Sequence, residues 1–542
     1  PSTIDNIRMG YIFEELIRKF SENAEAGDHY TGRDIIKLMV NILLAEGCDD
    51  LFEPGKVITI LDQACGTGGM LSTSYDFIKR FNPTADVRLF GQEINPESYA
   101  MCLAEMLIKN QKADNIRYQD TMKADCFEEI QMRFVIMNPP FGTPWGGKDA
   151  AEGVEQAVSG EHKKGPLSRW GAGLPSSGDT QMLFLQSAVD KMDETVGRAA
   201  IIQNGSPLFS GGTSSGESQV RRWLLEQDLI EAIVALPPDL FYNTGIATYI
   251  WVLSKNKRAE RKGKIQLIDA TTFYHKLRKA LGDKKNEISP EDRAAVTKLY
   301  AGFDQGENAY CKIYRNEAFL YREYVVMQPL QRSYAITPER IEAMRAKGSL
   351  SSVYDEPAVV KLENLVEPSQ KELKKLESFR EGKPVYDAVF ERLYNAADDR
   401  VYPSPASFMP VLTAVLSGVM EDKKLLEKIA DGLSRIDKSA EIQRDSKGHI
   451  HYDKETRDIE LVKYGEAIES YMDREVLPHV PDAAAFFEED LSAKRPIIKT
   501  GAEIPFTRCF YKYQPPAASR ELEAKFKELE RSVSQQINAL FG

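Results

Sequence analysis

Between residues 57 and 255, short runs rich in β-branched and aromatic residues alternate with longer stretches whose apolar residues recur every three or four positions. This is the pattern of a parallel sheet covered by helices. Strands are predicted at 57–62, 87–93, 115–120, 133–138 and 198–204. They end on Asp62, Glu93, Asp120, Asn138 and Asn204, where a ligand crevice opens in open α/β sheets. Two further runs, 230–237 and 247–255, flank a turn-rich segment and read as a closing antiparallel pair at the sheet edge. Residues 141–181 are rich in Gly and Ser and predict a long loop inside this domain, which spans about 25–270. A mixed segment follows over 271–365, then a region of mostly polar helices over 366–515. The last stretch, 516–542, predicts a helix with one apolar stripe, Leu522, Phe526, Leu529, Val533, Ile537 and Leu540, behind a stiff lead-in at Pro515 and Pro516.

At 542 residues the chain calls for two or three domains. No run approaches the ~20 apolar residues of a membrane span, and the first ten residues lack a signal peptide's charged and apolar regions, so a cytoplasmic location with no membrane partner is expected. Six scattered cysteines without a paired spacing predict neither a disulfide framework nor a metal site, and His449 and His451 read as part of a surface hairpin. The net charge of -12 argues against a strong autonomous grip on nucleic acid. Three basic stretches, 162–170, 255–264 and 276–285, read as solvated faces.

The candidate chemistry lies at the strand ends. Asp62 to Gly69, DQACGTGG, directly follows the first strand and precedes a helix. Its glycines, Gly66, Gly68 and Gly69, let the backbone turn tightly and approach a ligand, with Asp62 and Thr67 beside them. The loop is neither a dinucleotide fingerprint nor a phosphate loop, so a nucleotide-like cofactor without a phosphate chain fits it better. Glu93 stands where a carboxylate reaches ribose hydroxyls, and Asp120 ends the next strand. The fourth strand runs into Asn138-Pro139-Pro140-Phe141. An exocyclic amine is a poor nucleophile because its lone pair is delocalised. The Asn138 side-chain oxygen and a main-chain carbonyl of the turn can accept its hydrogens, neither proline offers a competing N–H, and Phe141 offers a face on which an extruded base can stack.

DQACGTGG, then GQEINPESYAMCLAEML, then NPPFG resemble the modification subunits of type I restriction-modification systems, in the gamma order of amino-methyltransferases. Upstream, AGDHYTGRDIIKLMV is similar to the family's cofactor-binding Tyr-Thr-Pro-Arg segment, with Gly32 in place of the proline. GRAAIIQNGSPLF, 220–257 and IPFTRCFYKYQPP also follow the family pattern, so the resemblance covers most of the chain. It implies a Rossmann-like S-adenosylmethionine-dependent methyltransferase acting on N6 of adenine in DNA. His29, Tyr30, Thr31, Gly32 and Arg33 would join the cofactor site, with no histidine acting as a base. Double-stranded DNA would be the substrate and a DNA-specificity subunit a partner, docked on the C-terminal helix through Leu522, Phe526, Leu529 and Val533. A restriction and translocase subunit would join the full complex, which would hold two copies of this chain. The family's N-terminal helical domain is expected only as a remnant over 1–24, with a helix at 9–23. Other readings of the catalytic turn stay open: cytosine-N4 methylation, protein-glutamine methylation, or a cofactor-binding scaffold.

Overall fold

The computed structural model describes residues 31–242, 244–365, 367–445, 447–493, 495–511 and 519–541; the expected helix at 9–23 lies outside them. The apolar runs form strands close to where they are predicted: β1 (Val57–Asp62), β2 (Asp86–Glu93), β3 (Ile116–Tyr118), β4 (Phe134–Met137), β5 (Arg198–Asn204), β6 (Ile230–Ala235), β7 (Thr248–Ser254) and β8 (Lys264–Asp269). A hairpin of β9 (His275–Leu281) and β10 (Lys284–Glu287) follows, then β11 (Cys311–Arg315). Apart from that hairpin they build one nine-stranded sheet in the order β11-β8-β6-β7-β5-β4-β1-β2-β3. β1 through β5 run parallel, and β7 is antiparallel to both its neighbours.

The closing pair is not the sheet edge that its turn-rich connection suggests. β7 lies between β5 and β6, and β8 and β11 extend the sheet beyond β6. The physical reason is visible in the residues: Ile250, Trp251, Val252 and Leu253 are all buried, so both faces of β7 are covered, as an interior strand requires.

Helices α1 (Arg33–Leu44), α2 (Gly69–Phe81), α3 (Pro96–Ile108), α4 (Val154–His162), α5 (Gln181–Lys191), α6 (Gly216–Glu226) and α7 (Pro290–Ala301) cover the sheet. One apolar layer joins α1, α2, α3 and α7 to one face, and the other joins α4, α5 and α6 to the opposite face. The chain travels outward from β1 to β3 and returns to β4 on the other side of β1. The strand order therefore reverses between β1 and β4, and their C-terminal ends frame the crevice where open α/β sheets bind ligands.

The 141–181 segment carries more structure than its composition predicts. It contains α4, and Trp145, Val154, Val158 and Trp170 are buried in the second layer. The indole N–H of Trp145 donates to the Ser176 carbonyl at 3.0 Å and that of Trp170 to the Leu183 carbonyl at 3.2 Å. Glycine content hid this, because four large side chains spread over 26 positions leave no periodic signal.

Contacts divide the chain into two units: residues up to Arg322 with Lys463–Gly465 and everything from Glu489, and Glu323–Val462 with Glu466–Glu488. The break falls later than residue 270 because β8 and β11 belong to the sheet. The first unit also includes β12 (Thr500–Ala502), whose Ala502 carbonyl accepts the Arg221 Nε at 2.7 Å, so the 366–515 region is not a single body. In the second unit, helices α8 (Pro338–Lys347), α9 (Glu356–Glu363), α10 (Gln370–Asn395), α11 (Pro405–Val415) and α12 (Lys423–Gly432) form the helical region expected, and α8 and α10 to α12 enclose its own apolar core. Arg340 ties α8 to the strands below it by donating to the Ser333 and Leu433 carbonyls. α13 (Ser519–Phe541) ends the chain.

Candidate functional site

β1 delivers Asp62 to the crevice, and DQACGTGG turns from it into α2. Gly66 and Gly68 have φ of 52° and 83°, a left-handed conformation that favours glycine. At Gly68 a side chain is also excluded sterically: a Cβ would lie 2.7 Å from the Cys102 sulfur. β2 ends on Glu93, whose Oε2 accepts the Gly66 N–H and whose Oε1 accepts the Asn95 N–H, each at 2.7 Å. The carboxylate thus holds the glycine loop against the start of α3. Asp120 Oδ1 accepts the Met122 N–H at 2.8 Å, which sets that carboxyl in the wall after β3.

These elements enclose a cavity of about 1030 Å³. Of the residues predicted from sequence, Thr31, Asp62, Gly66, Thr67, Gly69, Glu93, Asp120, Asn138 and Pro140 line it. Gly32, Arg33, Gly68, Pro139 and Phe141 do not, and His29 and Tyr30 lie outside the described residues. Gly32 caps α1 instead. Arg33 does not line the cavity and clamps the helices beside it. It donates to the Gly69 carbonyl, to Ser72 and Thr73 and, at 2.6 Å, to Glu105, locking α1 to α2 and α3. Phe141 belongs to the first apolar layer, 9% exposed, beside the cavity rather than in its wall.

Thr31 takes a role that sequence reading did not assign. Its hydroxyl oxygen accepts the Asn138 Nδ2 at 3.0 Å. The amide nitrogen is therefore directed at Thr31, and the Asn138 oxygen is buried in the turn. Other lining residues were missed altogether, among them Ile94, Met122, Thr180 and Phe184. Ile94 is 55% exposed next to Glu93, an apolar surface suited to a purine ring. Thr180 is buried, and its hydroxyl has no hydrogen-bond partner among the described residues. For Ile94 a signal existed, an apolar residue directly after the strand-end acid; for Thr180 there was none.

The charge of the cavity narrows its ligand. Asp62, Glu93, Glu97, Asp120 and Asp149 line it, and no Lys, Arg or His does among the described residues. Such a wall repels phosphate and favours a ligand with positive charge. Burial, with the Glu93 charge reinforcing it, pushes the Asp62 carboxyl up to about 8, against the one N–H, from Ala64, that it accepts. Folding raises this pKa, so the folded state binds the proton more tightly than the unfolded one. The associated stability is fully present below about pH 4 and is lost as pH rises through about 8. Asp62→Asn keeps an oxygen for the Ala64 N–H and removes the titration. Its stability advantage over wild type is expected to widen by on the order of 4 kcal/mol between pH 5 and pH 9. Thermal unfolding at the two pH values checks this, and a gap that does not change with pH would refute the assignment.

Comparison with known proteins agrees with this geometry. The family profile described as N-6 DNA Methylase matches residues 5–336. The methylase subunit of the type I restriction enzyme MjaIX from Methanocaldococcus jannaschii is 25% identical over 334 residues, covering 61% of this chain and 55% of that one. The HindI methylase subunit from Haemophilus influenzae is 25% identical over 343 residues, covering 61% of this chain and 68% of that one. A solved type I methyltransferase subunit from Streptococcus thermophilus aligns with a TM-score of 0.49 at 24% identity, covering 58% of this chain and 62% of that one. The chain thus spans between about half and two thirds of the length of these relatives. With a glycine loop, a strand-end acid and an Asn-Pro-Pro-Phe turn around one cavity, and a family match over more than half of its residues, this chain belongs to the N-6 DNA Methylase family.

Proposed function

We propose that this chain transfers the methyl group of S-adenosylmethionine to N6 of adenine in DNA, as the modification subunit of a type I restriction-modification complex. One observation carries the reading: the acid-lined cofactor cradle after β1 and the Asn138 turn after β4 share a single cavity at the switch point of the sheet. The residues fit that cofactor. Glu93, already holding the loop, is placed for ribose hydroxyls, Ile94 for the adenine face, and the acidic wall for the cationic methionine end. When bound, the cofactor supplies a methyl group activated by its sulfonium.

The chain's own contribution is to raise the nucleophilicity of the target amine. The Asn138 oxygen, oriented by Thr31, accepts one N6 hydrogen, and a main-chain carbonyl of the proline turn accepts the other. Both contacts strengthen as the nitrogen becomes pyramidal and gains positive charge, so they favour the transition state over the ground state. The extra proton then leaves to water. The relatives' naming as methylase subunits of type I restriction enzymes supports adenine N6 as the acceptor and a multisubunit setting.

The decisive experiment is methyl transfer from labelled cofactor to plasmid DNA, with the specificity subunit present, followed by digestion to nucleosides. Label in N6-methyladenine supports the proposal. Label in N4-methylcytosine moves the base, and label on protein glutamine or no label overturns it.

Partner docking has its own support. On α13, Leu522, Phe526, Leu529 and Val533 are 47–69% exposed, an apolar stripe left uncovered by the described residues. Deleting 519–542 is expected to abolish co-purification with the specificity subunit while cofactor affinity stays unchanged. Complex formation by the truncated chain would sink this part of the proposal.

A further inference from the structure

Of the three basic stretches in the sequence, 255–264 has three of its cations in internal pairs, with Arg258 and Lys262 exposed. Lys255, Lys257 and Arg261 pair with Glu194, Asp228 and Glu46 beside the ends of β5 and β8 opposite the cavity. In 162–170, Lys164 pairs with Glu161, and Arg169 stacks on Trp170 at 3.9 Å. The third is different. It forms the β9–β10 hairpin, on which Lys276, Arg278 and Lys279 are exposed and pair with no carboxylate among the described residues. In a chain of net charge -12 this is a local concentration of uncompensated cations.

Its position is set by the catalytic end of the sheet. β8 runs parallel to β6, and the chain leaves β8 toward the hairpin on the edge that carries the cavity. The buried Lys284 of β10 donates to both oxygens of Asp34, at 3.1 and 3.0 Å, and to the Leu240 carbonyl at 3.1 Å. Asp34 also accepts the Ile288 N–H at 3.0 Å. Gly282, at φ 61°, lies so close to the Tyr242 carbonyl that a Cβ would sit 2.4 Å from its oxygen. The hairpin is therefore pinned to the first turn of α1, three residues from Thr31, which holds Asn138.

We propose that the β9–β10 hairpin binds the phosphate backbone of duplex DNA beside the target base, and so aligns the strand over the Asn138 turn. Lysine and arginine that contact phosphates add affinity without sequence preference, which suits a chain whose target sequence is read by a partner. The inference rests on the DNA methyltransferase reading above.

Its test uses the full chain with S-adenosylmethionine and a labelled duplex of about 30 base pairs, read by fluorescence anisotropy across a salt series. For Lys276→Gln, Arg278→Gln and Lys279→Gln together, affinity is expected to fall about tenfold or more, and the slope of log K against log salt to lose about 2–3, since each phosphate contact contributes about 0.9. Cofactor affinity stays unchanged, which excludes misfolding, and the charge-conserving set Lys276→Arg, Arg278→Lys, Lys279→Arg binds as wild type does. Equal affinity and slope in the glutamine variant and wild type would overturn the hairpin assignment and leave the methyltransferase reading standing. Loss of binding in the charge-conserving set as well would overturn it too. A wild-type chain that, with the specificity subunit present, neither binds duplex nor methylates DNA overturns both.

Discussion

Asn138→Ala is expected to slow methyl transfer to DNA by on the order of 10²–10³-fold while cofactor affinity stays within about twofold. The asymmetry follows from where the side chain acts. The proposed cofactor cradle is the glycine loop, Glu93 and Asp120, all on β1 to β3 and their following turns, and the hydrogen bonds that shape it do not pass through Asn138. Asn138 follows β4, and its oxygen is needed only when the target nitrogen sheds its planar, delocalised form. Single-turnover kinetics with labelled cofactor, beside calorimetric cofactor binding, separate the two terms. Thr31→Val, which removes the oxygen that receives Asn138 Nδ2, should slow the same step by a smaller factor, with the cofactor again retained. A variant Asn138→Ala that turned over normally would remove this residue from the chemistry.

Glu231→Gln is expected to destabilise the first unit by about 3–5 kcal/mol, the largest single stability effect at this end of the sheet. Glu231 and Arg198 are 1% and 2% exposed and form a two-pronged pair, at 2.8 and 3.2 Å, where β5 and β6 begin. Tyr300 of α7 donates its hydroxyl to the same carboxylate, and Arg261, paired with Glu46, donates to the Tyr300 carbonyl. Removing the charge of Glu231 leaves a buried guanidinium without its counterion, and that uncompensated charge is the source of the cost. Replacing both members by apolar residues, Arg198→Met with Glu231→Leu, should recover most of it. Burial alone would raise the Glu231 carboxyl, but the Arg198 guanidinium and the Tyr300 hydroxyl overcome that and hold it at about 2. The folded pKa is thus depressed, and the stability it contributes is present above the ordinary carboxylate range near 4 and is lost as pH falls through about 2. Denaturant unfolding at pH 7 and pH 3 measures both parts. A cost below 1 kcal/mol at pH 7 would mean that the pair does not support the sheet.

Several elements were legible because their signals are local. VITILD and RAAIIQN become β1 and β5 with no shift of boundary, since β-branched runs bounded by turn residues need no distant partner to be recognised. The glycine loop was legible because positive φ at Gly66 and Gly68 is a property of single residues. Less legible were residues whose partners lie far along the chain. Arg33 was expected at the cofactor site from its family-like segment, and only the approach of Glu105, 72 positions away, shows that it ties the helices together. Phe141 looked like a stacking platform, and only the packing of the layer beneath the sheet buries it.

By itself, the sequence determined the order of strands and helices, the acids and the asparagine at the strand ends, and the chemistry those groups can perform, because backbone conformation and side-chain functionality are local. Tertiary structure alone decided that β7 enters the sheet interior and that Thr31 orients Asn138. It also decided which of three similar basic runs puts three of its cations into internal ion pairs and which is left facing solvent near the catalytic edge. Those outcomes depend on which distant surfaces meet, and therefore on burial and pairing that no short window of residues contains.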